Sequence, residues 1–190
     1  MTGSTQSDNI IAEEATFAGG CFWCIETVFN QLQGVIEAES GYSNGPHPHP
    51  HPSYEDVCSG LTGHAEVVRV RFDSRRISYQ QLLEVFFAIH DPTTLNRQGH
   101  DEGSQYRSGI YTHSAQQALQ ARAMIEHLTI SKVFQDPIVT EVAPITNYHP
   151  AEAYHQRYFE QHPGQGYCAV VISPKVDKFR KTFTDLLKPN

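Results

Sequence analysis

Apolar residues recur along this 190-residue chain in two rhythms, one suited to strands and one to helices. After a polar lead, Glu13 to Ala18 reads as a short strand running into Gly19-Gly20. From Cys21 the period changes. Phe22, Ile25, Val28, Phe29 and Leu32 fall three and four apart, the spacing of one helix face, and Gly34 ends the run. Val35 to Tyr42 is a second strand. In His64 to Phe72, Val68, Val70 and Phe72 alternate with Arg69 and Arg71, which predicts a half-buried strand. Ser78 to His90 is an amphipathic helix with Ser78 placed to cap it. Ser108 to Thr112 reads as a strand, Ser114 to Lys132 as a long helix capped by Ser114, and Pro137 to Ala143 as another strand. Pro150 to Gln161 is a short helix opened by proline in its first turn. Tyr167 to Ile172 is apolar and β-like, and Lys175 to Leu187 is a terminal helix after Pro174.

Two stretches follow neither rhythm. Gly41 to Pro52 is rich in Gly, Asn, Pro and His, and proline at alternate positions denies a ladder its donors, so it reads as an irregular loop. Asp91 to Arg107 is a long segment with little apolar periodicity, and loops of that length in a compact domain are usually functional. The element order, β-α-β and then β-α-β-α-β, points to an α+β fold with helices packed on one mainly antiparallel sheet. Residues 1–12 read as a flexible N-terminal lead and 13–190 as a single catalytic domain.

Composition narrows the class. Apolar residues make up 39% and charged residues 18%, a globular mixture. The formal charge of -7, without a dense basic run, argues against nucleic acid as a partner. The N-terminus lacks the basic and apolar regions of a secretion signal, and no apolar run approaches the roughly 20 residues of a membrane span. A soluble, cytoplasmic protein is expected, with no membrane partner. Four cysteines are too few for a disulfide scaffold and should rest as thiols in a reducing compartment. A zinc site is weakly supported, because Cys58 and Cys168 add no second pair to the C-x-x-C of Cys21 and Cys24.

The chemistry centres on Cys21. An unperturbed thiol is mostly protonated at neutral pH, and only the thiolate is a strong nucleophile. Cys21 follows two glycines at a helix start, where backbone amides and the helix dipole favour negative charge. Cys24 lies three residues on, close enough in a helix for the pair to close into a disulfide. Cys21 could equally be a buried helix-start cysteine and Cys24 a small core residue.

Gly20-Cys21-Phe22-Trp23 resembles the signature of the A-type peptide methionine sulfoxide reductases. Further segments are similar to that family, in family order: Pro52-Ser53-Tyr54-Glu55-Asp56-Val57-Cys58, Gly63-His64-Ala65-Glu66-Val67-Val68, His90-Asp91-Pro92-Thr93, Gln98-Gly99-His100-Asp101 through Gln105-Tyr106-Arg107-Ser108, and Tyr154-His155-Gln156-Arg157-Tyr158. The likeness runs from about Thr16 to Cys168. It implies a ferredoxin-like α+β fold and reduction of methionine S-sulfoxide, free or in proteins, to methionine.

The resemblance also implies roles. Cys21 attacks the sulfoxide sulfur and is left as a sulfenic acid. Glu66 is the acid, held protonated by partial burial. Tyr54 and Tyr106 donate hydrogen bonds to the sulfoxide oxygen, and Asp101 holds the polar network together. Phe22 and Trp23 form the aromatic wall for the substrate methyl group, with Tyr158 near the same site. Cys24 or Cys168 resolves the sulfenic acid; Cys24 is the expected first resolver and Cys168 a relay. The chain departs from the commonest family pattern in having Cys24 after Trp23 and in continuing beyond Cys168 as an apolar strand and a helix. Cys58 is expected to be structural. Thioredoxin is the expected reductant, no cofactor or metal is called for, and a monomer is the expected species.

Two other readings remain open at this level. A general C-x-x-C thiol-disulfide oxidoreductase would have no need of Glu66, the tyrosines or the Asp91 to Arg107 loop. A metal-binding module would use Cys21, Cys24 and the histidines at 47–51. A Pro-rich segment is extended, however, so its alternate side chains should spread rather than converge, and an exposed loop is the expectation there.

Overall fold

A computed structural model describes residues 10–47 and 49–189. The flexible lead expected over 1–12 lies, through Asn9, outside the described residues, and Ala12 already pairs with Asp73 in the sheet.

In chain order the elements are β1 (Ala12–Gly19), α1 (Phe22–Asn30), β2 (Val35–Ser43), α2 (Tyr54–Cys58), β3 (Ala65–Asp73), α3 (Tyr79–Ile89), β4 (Arg97–Gln98), β5 (Asp101–Glu102), β6 (Ser108–Thr112), α4 (Ala115–Ile130), β7 (Glu141–Pro144), β8 (His149–Pro150), α5 (Tyr158–Gln161) and α6 (Ser173–Thr182). The main sheet runs β7-β6-β1-β3-β2-β8. Among the described residues only the β6–β7 pairing is parallel, and α4 makes the crossover it needs. The mainly antiparallel α+β architecture expected from the element order is the one observed.

The sheet is covered on both faces. On one, Phe17 of β1 stacks against Phe29 of α1 at 5.1 Å and Phe86 of α3 at 5.0 Å, fixing both helices to the strand that leads to Cys21. On the other, Ala18, Ala65, Val67 and Tyr111 form a smaller cluster with Ala143, Ile145 and Tyr148. The alternation expected of β3 holds from Val68 to Phe72, where Val68, Val70 and Phe72 are buried and Arg69 and Arg71 are not, but at its start, covered on both sides, Ala65 through Val68 are all buried. Serine caps set three helix starts. Ser53 and Ser78 each form a capping box, and Ser114 accepts from the Gln117 amide.

Four expected elements differ. Tyr167 to Ile172, expected as a strand, is helical and runs directly into α6. The buried positions Cys168, Ile172, Val176 and Phe179 are spaced by four, four and three, a helical stripe that a short apolar run conceals. The terminal helix correspondingly begins at Ser173, and after Thr182 only a 3₁₀ turn over Thr184–Leu186 remains. The strand expected over Pro137 to Ala143 is confined to Glu141–Pro144, because the Val139 amide bonds the Pro92 carbonyl instead of a strand. The helix expected over Pro150 to Gln161 is broken. His149–Pro150 pairs with the edge of β2, and the Gln156 side chain then continues that edge, accepting from the Ser40 amide and donating to its carbonyl. Arg157 turns the chain with φ of 54° before α5 begins. Among the described residues no helix is long and apolar enough to cross a membrane.

Candidate active site

Cys21 sits where β1 hands over to α1, as the residue preceding the first helical turn. Gly20 holds φ of 88°, and a Cβ there would lie 2.5 Å from Gln98 Cγ. Glycine is therefore required twice, for its angle and for the close passage of the long loop. That loop is closed by Gln98 itself, whose side chain accepts from the Asp91 amide and donates to the Asp91 carbonyl.

Opposite stands Glu66, the second residue of β3, 1% exposed. Its Oε2 accepts from the Phe22 amide at 3.1 Å. Burial, reinforced by the negative charge of Asp101 and opposed by the Phe22 amide, pushes its pKa up to about 8, so at neutral pH Glu66 is largely the neutral acid. The Cys21 thiol is also held well above its ordinary range, first by burial, then by Glu66 and Cys24. The Trp23 amide and the Tyr167 hydroxyl act the other way. Burial thus favours a thiol over the thiolate expected from a helix start. An amide that would stabilise the thiolate, that of Phe22, is engaged by Glu66 instead.

Tyr54 opens α2, its amide bonded to Glu152 Oε1 at 3.0 Å, and Tyr106 ends a 3₁₀ turn in the long loop. Both phenols are raised by burial and by nearby Glu66, so they remain donors throughout the physiological range. The half-buried Cys58 thiol lies near both, its pKa raised chiefly by burial and lowered by the two hydroxyls. Asp101, in β5, accepts from the Tyr167 hydroxyl at 2.6 Å. Phe22 and Trp23 begin α1. The Trp23 indole stacks on Tyr158 at 3.9 Å, and its Nε1 donates to His155 Nδ1 at 3.1 Å. Cys21, Phe22, Trp23, Tyr54, Glu66, Asp101, Tyr106 and Tyr167 line one cavity of about 260 Å³.

Seven of the residues singled out from the sequence therefore share one cavity: Cys21, Phe22, Trp23, Tyr54, Glu66, Asp101 and Tyr106. Tyr158 stands behind Trp23 rather than in the lining. Cys24 is buried in the first turn of α1, its amide bonding the Cys21 carbonyl at 3.2 Å, and burial pushes its thiol up to about 11. Cys168 is fully buried in the core. Two residues escaped the sequence reading. Tyr167 was hidden because its segment reads as a strand, although it directly precedes a cysteine already marked. His155, 1% exposed, accepts the Trp23 indole bond, and only its place in Tyr154-His155-Gln156-Arg157-Tyr158 hinted at it.

Comparison with known proteins gives a consistent result. The family model described as peptide methionine sulfoxide reductase matches residues 13–187. A curated relative from Polynucleobacter asymbioticus, the peptide methionine sulfoxide reductase MsrA, is 54% identical over 177 residues, covering 93% of this chain and 92% of the relative. Among solved structures, methionine sulfoxide reductase A of Corynebacterium diphtheriae superposes with a TM-score of 0.77 at 36% identity, over 84% of this chain and 78% of that one. Mxr1 from Saccharomyces cerevisiae in complex with Trx2 superposes at 0.52 with 26% identity, over 77% of this chain and 84% of that one. On this match, which spans the whole cavity, the chain belongs to the peptide methionine sulfoxide reductase family.

Proposed function

We propose that the protein reduces the S epimer of methionine sulfoxide, free or within proteins, using Cys21 as nucleophile and Glu66 as acid, and that thioredoxin returns it to the reduced state. The observation that carries this reading is a thiol and a neutral buried carboxylic acid facing one small cavity with an aromatic wall. A sulfoxide carries a methyl group, a polar oxygen and a chain on one pyramidal sulfur. With the methyl against Phe22 and Trp23, the oxygen toward Glu66, Tyr54 and Tyr106, and Cys21 on a fixed side of the sulfur, the configuration at sulfur decides where the third substituent falls, so one epimer is favoured.

The chemistry balances without a cofactor. As the Cys21 sulfur bonds the substrate sulfur, Glu66 gives its proton to the oxygen, which removes negative charge as it develops. The oxygen then passes to Cys21 as a sulfenic acid, and methionine leaves with the two electrons that Cys21 supplied. The proton lost by the Cys21 thiol restores Glu66. Tyr167, bonded to Asp101 and reaching Cys21, completes the polar ring. A second thiol, Cys24, condenses with the sulfenic acid, releasing water and leaving a disulfide. The S. cerevisiae complex with Trx2 supports a thioredoxin as the dithiol that reopens it. A reducing cytoplasm would keep the four cysteines available as thiols for this cycle.

The test is an epimer-resolved assay with thioredoxin, its reductase and NADPH. Turnover of the S sulfoxide only, lost in Cys21→Ser and kept in Cys58→Ser, is expected. Disulfide reductase activity without turnover of either epimer would place the protein with general C-x-x-C oxidoreductases.

A further inference from the structure

The Pro-His loop does not behave as its composition suggests. The rings of His51 and His64 each lie 6.1 Å from that of His149, and His49 is close enough to influence the charge of both His64 and His149. Side chains from a loop, from the approach to β3 and from β8 thus converge instead of spreading. His64 is 1% exposed and packs so closely on the loop that a Cβ at Gly45 would meet its Nδ1 at 2.3 Å. That Nδ1 lies 3.3 Å from the Thr62 carbonyl, an acceptor, which favours the proton on Nδ1 and the lone pair on Nε2, while the Asn147 carbonyl is a second acceptor beside the ring. Among the described residues, His64 Nε2 is buried with no hydrogen-bond partner, and so is His49 Nδ1. Buried ring nitrogens without partners are costly and call for an explanation.

We propose that His64 and His149, joined by His49 and His51 of the Pro-His loop, form a binding site for a divalent transition-metal ion of the kind imidazole favours: zinc, nickel or copper. The backbone carbonyl on His64 Nδ1 is the outer contact that commonly fixes a metal-binding histidine. Among the described residues, no group of three or more His, Cys, Asp or Glu side chains is yet arranged to hold an ion. Binding therefore includes an inward swing of His49 and His51, which sit on a loop rather than in the sheet. The site is separate from the cysteine cavity, which none of these histidines lines. An ion there would nevertheless brace both ends of the segment that carries Tyr54, since His51 and His64 flank it in sequence, and His64 lies two residues before Glu66.

The probe is Ni²⁺, titrated calorimetrically into the reduced full chain free of any added histidine tag, at about pH 7.5 where imidazoles are neutral. One ion per chain is expected. Replacing an outer contact of a metal site usually costs 10–100-fold in affinity, so His51→Gln with His149→Gln, which removes two ligands, should weaken binding by at least about tenfold. Cys21→Ser should leave it unchanged. His64→Gln should abolish binding, with far-UV circular dichroism confirming the fold; if that variant unfolds, the His51, His149 double variant decides alone. Substituting Co²⁺ should give visible bands of an imidazole site without thiolate charge transfer. Binding that follows Cys21, binding untouched by the His51, His149 double variant, or no binding at all overturns the proposal.

Discussion

A carboxyl remains neutral at pH 7 only where water is kept from its charged form, and Glu66 meets that condition by lying on a strand covered on both faces. The alternation in His64 to Phe72 gives no sign of this; a glutamate in such a pattern reads as solvated, and only the family resemblance marked it. With its pKa raised to about 8, Glu66 carries the proton needed at sulfur–oxygen cleavage at neutral pH and loses it above. In the wild type, kcat/KM for the S sulfoxide should therefore be level below neutrality and fall as pH rises through about 8. Glu66→Gln keeps the shape but has no proton to give, so it should lose roughly 10²–10⁴-fold at pH 7 and lose that alkaline limb. The gap between the two should narrow at high pH, where the wild type is itself deprotonated. A full pH–rate profile of both proteins checks this; an identical limb in the variant would assign the titration to another group.

Helices decide which cysteine answers Cys21. Residues three apart in a helix have Cβ atoms about 5–6 Å from each other, slightly wider than a disulfide requires. Cys21, however, precedes the first turn with ψ of 120°, outside the helical region, and can close the difference by local rotation. Cys168 is differently placed. The run from Tyr167 to Ile172 reads as an apolar strand, and a strand or a helix would tether the cysteine equally well in sequence terms. The observed helix shows what the tether costs: Cys168 shares its buried stripe with Ile172, Val176 and Phe179, and exposing those three would forfeit about 1.5–3 kcal/mol each. Peptide mapping after one equivalent of substrate should find the Cys21–Cys24 link. Cys24→Ser should leave a sulfenic acid that a dimedone probe captures, whereas Cys168→Ser should form the first disulfide at the wild-type rate. Recovery of Cys21–Cys168 alone would mean that the start of α6 opens more readily than its packing indicates.

At the scale of the molecule, the α+β class and the long elements were legible because their apolar periods are strong. The strand order was not, since it depends on which edges meet: nothing local says that β1 lies between β3 and β6, or that Gln156 extends an edge through its side chain. Burial of charge is likewise a property of the assembled fold, and it has a measurable consequence for stability. Glu66 and Glu26 are both buried, with pKa values pushed up by that burial to about 8 and about 7 from an ordinary 4.5. Below about 4.5 both folded and unfolded chains carry these protons, and the contribution to stability is complete. Between about 4.5 and 7–8 the unfolded chain ionises first, so stability drains away as pH rises, then levels off. Buried His90 acts in the opposite direction. Its pKa is lowered to about 4 by burial, so stability falls as pH drops from 6.5 toward 4. Between about 4.5 and 6.5 the two carboxyls outweigh the one histidine, so these three groups together place the maximum of stability at about pH 4–4.5, with a fall of a few kcal/mol toward pH 8. Thermal melts across pH should show it. In a Glu26→Gln, Glu66→Gln double variant the alkaline slope should flatten while the His90-dependent acid side is retained, because the amides keep their shape without an ionisation to resist. An alkaline slope as steep in the double variant as in the wild type would move its origin away from these two carboxyls.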